Sequence, residues 1–124
     1  MRNFKVLGTV LLTLAATASQ AQILIGQTAG FSGAVAAGVK ETTDGAKLYI
    51  DAVNAKGGIA GQKIELISLD DKLDPKLAAE NARKLIEEQN VVALFLNRGT
   101  PHSEAIIPLL DKHGIPLIAP STGA

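Results

Sequence analysis

Short apolar runs alternate with longer amphipathic stretches along the chain after residue 21. Four of these runs are rich in Ile, Leu and Val and have the length of β-strands. They occupy residues 22–28, 63–69, 91–96 and 115–119. Between them, apolar residues recur at helical spacing, which predicts α-helices over residues 36–55, 75–88 and 100–112. The predicted order of elements is therefore β-α-β-α-β-α-β.

Signals for helix ends support these boundaries. Asp74 and Pro75 predict the start of the second helix, with Asp74 as the N-cap and Pro75 at the first helical position. Thr100 and Pro101 predict the same arrangement for the third helix. Glycines at residues 57–58 and at Gly114 favour the left-handed conformation that ends a helix.

Each helix is expected to pack one apolar face on the sheet. In the first helix the apolar stripe consists of Val39, Ala46, Leu48, Tyr49, Ala52 and Val53. In the second helix it consists of Leu77, Ala78, Ala82, Leu85 and Ile86. Gly45 weakens the first helix and is expected to permit a close approach to the sheet.

This alternation predicts an α/β fold with a doubly wound parallel sheet. Right-handed crossovers then give the strand order 2-1-3-4, with the switch point between the first and third strands. Ligands of such sheets bind outside the carboxyl ends of the strands, at the switch point. We therefore expect the loops at residues 29–33 and 97–101 to flank a binding crevice.

Small hydroxyl residues and glycines occupy the loops after the third and fourth strands. Thr100, preceded by Gly99, is predicted to lie at a helix N-terminus. There its hydroxyl and the outward N–H groups of His102 and Ser103 can hold a carboxylate. The alternative is that Thr100 only caps its own helix.

Other candidates surround this position, each with a plainer alternative. Ser121, Thr122 and Gly123 follow the fourth strand and form either a ligand wall or an ordinary turn. Phe31 and Ser32 either line the crevice from the first loop, or Phe31 packs elsewhere. The predicted ligand-contacting residues are Phe31, Ser32, Gly99, Thr100, His102, Ser121, Thr122 and Gly123. Arg98 can pair with an acidic solute, although an exposed arginine at a strand end is more often solvated.

The first 21 residues have the features of a secretory signal peptide. Arg2 and Lys5 precede an apolar run over residues 6–18, and small residues at Ser19 and Ala21 favour cleavage after Ala21. The apolar run is too short to span a bilayer, which takes about 20 residues. We therefore expect a protein exported to the periplasm that does not itself span the membrane.

Composition excludes several kinds of site. The chain has no cysteine, which excludes disulfides, cysteine-ligated metals and a thiol nucleophile. Without the leader, ten basic and twelve acidic residues leave a net charge of −2, which gives no support to nucleic-acid binding. His102 and His113 occupy different positions and do not suggest a metal site. We expect neither a metal nor a cofactor.

Enzymatic and nucleotide-binding motifs are also missing. The acidic pair Asp70-Asp71 ends the second strand, but the first loop lacks the G-x-G-x-x-G pattern of a dinucleotide site. The same pair would suit a magnesium-dependent phosphoacceptor, a cytoplasmic role that the leader argues against. No Ser/His/Asp set with an elbow glycine pattern is visible, so the chain is not expected to be an enzyme.

The residues over 22–124 resemble the N-terminal portion of a type I periplasmic binding protein of the leucine/isoleucine/valine-binding group, which serves ABC importers. The most specific match is the block at residues 53–61, followed by two pairs at fixed spacing. These pairs are Asp70-Asp71 and Asp74-Pro75. Further matches lie at residues 25–28, 32–33, 44–46, 114–116 and 120–121.

The resemblance implies a two-lobe protein, of which residues 22–124 form part of the first lobe. A small-molecule solute, an amino acid or another carboxylate-bearing compound, would bind between the lobes and pass to an inner-membrane permease. Thr100 and residues 121–123 would contact it. Gly123 and Gly38 depart from the threonine and the aromatic residue of branched-chain amino acid binders, which leaves the solute open. A ligand-sensing domain of a receptor is the alternative; an exported enzyme on the same fold is the least favoured.

Overall fold

The computed structural model describes residues 21–123. All but the last residue of the predicted signal peptide therefore lies outside the described residues. Strands and helices alternate as predicted, and a π-helical turn, Lys84–Glu88, follows the second helix directly. The elements are β1 Ile23–Ala29, α1 Ala36–Ala55, β2 Ile64–Asp70, α2 Pro75–Arg83, β3 Ala93–Phe95, α3 Thr100–His113 and β4 Leu117–Ile118.

The four strands form one parallel sheet in the order β2-β1-β3-β4, which confirms the predicted topology. β1 pairs with β2 from Ile23 opposite Ile64 to Ala29 opposite Asp70. The β1–β3 and β3–β4 pairings are much shorter, since β3 and β4 contain only three and two residues. The switch point lies between β1 and β3, where the sheet changes direction of winding.

The main core lies where α2, the π-helical turn and α3 cover one face of the sheet. Its buried members are Ala78, Ala82, Leu85, Ile86, Val91, Leu94, Ile106 and Leu110. Four of the five residues predicted for the apolar face of the second helix are thus confirmed as core residues, and the fifth, Leu77, is only partly buried. Gly26 of β1 faces this core, and a Cβ there would lie only 2.9 Å from Cδ2 of Leu94. Glycine at this position therefore permits the sheet and its helical layer to pack closely.

The start of α2 is as predicted, and its end is not. Asp74 is the N-cap, with Oδ1 accepting a hydrogen bond from the Lys76 N–H at 2.9 Å, and Pro75 occupies the first position. The predicted helix, however, changes to π-helical hydrogen bonding at Lys84. The Gln89 N–H donates to the Lys84 carbonyl at 3.0 Å, five residues back. The turn keeps Leu85 and Ile86 in the core.

Half of the apolar stripe predicted for α1 is confirmed, since Val39, Ala46 and Val53 lie on its inward face, and the other half is wrong. Leu48 and Tyr49 are 73% and 75% exposed, and Gly45 has open space around it instead of a close contact with the sheet. The inward positions follow a regular 4-3-4-3 spacing instead. They are Val39, Thr43, Ala46, Ile50 and Val53. The prediction failed because it passed over the polar Thr43, which is buried, and chose Leu48 and Tyr49 because they are apolar.

Candidate functional site

β3 and β4 end side by side because the backbone bends directly after each strand. Leu96 and Ala119 follow the paired residues Phe95 and Ile118, and both have positive φ, 51° and 50°. Both strands therefore end one residue earlier than predicted. The left-handed region is unfavourable for residues with a side chain, and such residues concentrate at functional sites when the surroundings hold them. The paired bends turn the two following segments together at the carboxyl edge of the sheet.

Beyond the bends the two predicted site loops pair with each other. The Ser121 N–H donates to the Asn97 carbonyl at 2.8 Å, and the Gly99 N–H donates to the Ser121 carbonyl at 3.0 Å. These bonds form a parallel bridge between Arg98 and Ser121. The loops therefore form one continuous wall, in which backbone hydrogen bonds fix the relative positions of the side chains.

Thr100 and Thr122 meet on this wall. Their hydroxyl oxygens are 2.8 Å apart, a hydrogen bond in which either can donate, and both residues are half-buried. A pair of hydroxyls at the carboxyl ends of parallel strands can donate to a carboxylate once their mutual hydrogen bond is exchanged. The structure thus brings together two of the site residues that the sequence predicts.

The helix start at Thr100 differs from the predicted one. Gly99, with φ of 101°, is the N-cap of α3, and Thr100 is already the first helical residue. The Ser103 N–H donates to the Gly99 carbonyl at 3.0 Å, so it is not directed outward as expected. The interpretation of Thr100 as a cap of its own helix is therefore wrong, because its hydroxyl contacts Thr122 instead.

His102 lies inside the protein, beneath the loop. Its side chain is 7% exposed, and a Cβ on Gly99 would lie 2.6 Å from its Nδ1, so the loop can pass over the ring only as glycine. Among residues 21–123, neither ring nitrogen has a hydrogen-bond partner. The structure thus places His102 behind the wall, while the hydroxyl pair lies on it.

Asp71 is also fully buried at this edge of the sheet. It accepts hydrogen bonds from the Thr28 hydroxyl at 3.2 Å and from the Leu73 N–H at 3.0 Å. Burial raises the pKa of Asp71, and the Leu73 amide, the nearby His102 and the Thr28 hydroxyl lower it only in part. Asp71 therefore joins β1 to the loop after β2 and is not an exposed acid that a ligand can reach.

The predicted residues Phe31 and Ser32 belong to a different part of the edge. The Phe31 N–H donates to Asp70 Oδ1 at 2.9 Å, and the Phe31 side chain lines an open groove along α1 with Lys40 and Asp44. The Ser32 hydroxyl and the Phe31 and Lys72 amides lower the pKa of Asp70. These two residues thus anchor the β1–α1 loop, and they lie away from the wall that contains Ser121.

A narrow recess opens at the switch point itself. It is lined by Gln27, Val39, Thr42, Leu96, Arg98 and Ser121. Sequence reasoning missed Gln27 because it lies within a strand and has no motif around it. Its Nε2 donates to Thr43 Oγ1 at 3.0 Å and to the Leu96 carbonyl at 3.3 Å, and the Ser68 hydroxyl donates to its Oε1 at 2.8 Å. Gln27 therefore holds one of the two bends.

Within residues 21–123, no group of three or more His, Cys, Asp or Glu side chains is arranged to hold a metal ion. None of the helices described there has the length and apolar character needed to cross a membrane. The polar groups of the wall formed by the loops after β3 and β4 include hydroxyls, backbone amides and the guanidinium of Arg98, whereas Asp70 and Asp71 lie at the end of β2. This set of groups is suited to binding an organic anion by hydrogen bonds.

Residues 22–124 match a family described as periplasmic binding protein. The Leu/Ile/Val-binding protein homolog 7 of Brucella abortus is 31% identical over 110 residues, covering 89% of this chain and 27% of its own. The chain therefore spans about a quarter of that relative's length. The family match, over residues 22–124, includes both site loops.

Solved structures of binding proteins share the fold with this chain, as the TM-scores and sequence identities of two of them show. One is the LivJ substrate-binding protein of Streptococcus pneumoniae in complex with isoleucine, with a TM-score of 0.77 and 33% identity over 84% of this chain and 30% of that one. Another is a solute-binding protein of an ABC transporter from Rhodopseudomonas palustris in complex with 3,4-dihydroxybenzoic acid, with a TM-score of 0.73 and 27% identity over 82% and 28%.

The fold defines the class of the protein: an α/β domain whose fold is shared with solute-binding proteins. The chain belongs to the periplasmic binding protein family. Within that family it is similar to the leucine/isoleucine/valine-binding group, as the sequence comparison predicts.

Proposed function

We propose that this chain is part of the substrate-binding component of an ABC importer, and that it captures a small organic solute through a carboxylate in the periplasm. The observation that carries this proposal is the hydroxyl pair of Thr100 and Thr122 on the wall formed by the two strand-end loops. The family membership supports the general role, since the relatives' names describe binding proteins. The cleavable leader predicted from the sequence supports export.

The chemistry of capture follows from the position of Thr100 in the first turn of α3. A carboxylate oxygen replaces one hydroxyl as hydrogen-bond acceptor, so that Thr100 and Thr122 both donate to the ligand. The N–H groups of Thr100 and His102 precede the first hydrogen bond of the helix, between Ser103 and Gly99. The partial positive charge of the helix N-terminus adds a favourable term for an anion.

Capture also needs a second wall. The relatives are three to four times longer than the part of their sequence that this chain matches. We infer that a second lobe closes over the ligand, which removes water and strengthens each hydrogen bond to it. The closed form is the one that an inner-membrane permease would recognise, so partner binding and ligand binding are coupled.

Isothermal titration calorimetry of the full-length protein tests this proposal, with a panel of amino acids and other small carboxylic acids. Thr100→Val removes the hydroxyl at constant side-chain volume, and Thr100→Ser keeps it. A hydrogen bond to a charged group contributes about 1.5–3 kcal/mol, so Thr100→Val is expected to weaken binding about tenfold or more. Thr100→Ser retains most of the affinity. Equal affinity of wild type and Thr100→Val would exclude Thr100 as a ligand contact.

A further inference from the structure

Among the described residues that line the recess at the switch point, Arg98 is the charged one. It follows the bend at Leu96, pairs with Ser121 through the backbone bridge, and is half-buried. Its recess is shared with the side chains of Gln27 and Thr42. The recess and the hydroxyl pair are neighbours, because Arg98 and Thr100 are two residues apart and Ser121 and Thr122 are adjacent.

The guanidinium of Arg98 has no partner of its own among residues 21–123: no hydrogen bond or ion pair of its side chain occurs there. Arg83 provides a contrast on the surface, where its Nη1 lies 3.4 Å from Glu88 Oε1 and 3.8 Å from Glu87 Oε2. A half-buried guanidinium has lost part of its hydration without a compensating anion, and its planar donor array matches a carboxylate.

Nothing acidic competes for Arg98 in the recess, since every other lining residue is neutral. The nearest acidic strand end is occupied: Asp70 accepts the Phe31 and Lys72 N–H groups, and Asp71 is buried. The recess can therefore bind an anionic group of a ligand through Arg98, and it has no carboxylate that could bind an ammonium group.

The backbone under Arg98 is fixed before any ligand arrives. The Leu96 carbonyl accepts a hydrogen bond from Gln27, and the Ser121 N–H donates to the carbonyl of Asn97, a fully buried residue. A cation on a rigid support loses less conformational freedom on binding than one on a mobile loop. This is the property expected of a residue that determines specificity.

We propose that the Arg98 guanidinium binds an anionic group of the solute, so that this wall selects ligands with a net negative charge over zwitterionic amino acids. The inference rests on the proposed function and narrows its substrate class to organic acids, including dicarboxylates and acidic amino acids. The hydroxyl pair and Arg98 then contact the ligand from neighbouring positions on the same wall.

The test is calorimetry on the full-length protein with four probes: leucine, glutamate, glutarate and benzoate. Wild type is expected to bind at least one of the three net-anionic probes tenfold or more tightly than leucine. Arg98→Gln is expected to weaken that binding about tenfold or more and to flatten its dependence on salt. Arg98→Lys, which keeps the charge and loses the planar fork, gives an intermediate affinity.

Arg83→Gln is the matched control, since it removes the surface arginine and is expected to change affinity by less than twofold. Thermal unfolding of ligand-free Arg98→Gln, unchanged from wild type, separates a ligand contact from a structural role. Leucine binding more tightly than every anionic probe, or Arg98→Gln within twofold of wild type, overturns the inference. If Thr100→Val still weakens binding in that case, the proposed function stands. If no probe binds wild type, both fail.

Discussion

At the scale of single residues, the site depends on side chains and backbone conformations that carry no sequence signal. Leu96 and Ala119 adopt the left-handed region without being glycine or asparagine, so no sequence rule marks the bends. Gln27 supports one bend from inside a strand, where a polar residue is normally assigned to a solvated face. By contrast, Thr100 and Thr122 could be predicted, because hydroxyl residues after parallel strands lie at the ligand edge.

Asp71 gives a residue-scale prediction about pH. Its folded-state pKa is raised above the ordinary value of 3.8, so the native state binds a proton more tightly than the unfolded chain does. The contribution of Asp71 to stability is therefore most favourable below about pH 3.8 and declines as pH rises toward the folded pKa. Asp71→Asn lacks this decline, so its stability relative to wild type improves between pH 3 and pH 7.

Urea denaturation of both proteins across that pH range measures the difference. Asp111→Asn, a change on the exposed side of α3, is the control for altered net charge. A relative stability of Asp71→Asn that stays flat or worsens as pH rises would contradict the assignment of a raised pKa.

At the scale of elements, order and topology could be predicted closely and the details of two helices could not. The alternation of strand and helix patterns predicted the strand order β2-β1-β3-β4, because right-handed crossovers leave few possible topologies. The predicted face of α1 was wrong in part, because burial follows the geometry of the helix: the polar Thr43 lies inside and the apolar Tyr49 lies outside. A polar residue before proline correctly predicted the N-cap at Asp74-Pro75. The same rule was wrong at Thr100-Pro101, where Gly99 is the N-cap.

The two helix starts therefore predict different stability effects. Asp74→Ala removes a side-chain acceptor of the Lys76 N–H and is expected to destabilise the protein by about 1 kcal/mol. Thr100→Ala removes no cap, and we expect it to cost clearly less. Chemical denaturation of the two variants alongside wild type measures this contrast. A cost at Thr100 equal to that at Asp74 would show that the Thr100 hydroxyl contributes as much to stability as a helix cap does, against this expectation.

At the scale of the whole molecule, we propose that residues 21–123 contribute one wall of a binding site. An apolar groove beside α1, lined in part by Ile25, Phe95 and Ile118, lies on the sheet face opposite the main core. The polar wall lies at the carboxyl edge of the sheet, where we propose that the solute binds. A sequence reveals such an edge from topology, but the facing surface depends on residues that are distant in the chain.

The most direct measurement of the central claim is a crystal structure of the full-length protein with its tightest-binding carboxylic acid. We predict a ligand carboxylate oxygen within about 3.2 Å of the Thr100 or Thr122 hydroxyl, at the carboxyl ends of β3 and β4. The Thr100–Thr122 hydrogen bond would be exchanged for bonds to the ligand. A ligand bound away from this edge, with the Thr100–Thr122 hydrogen bond still in place, would contradict the account.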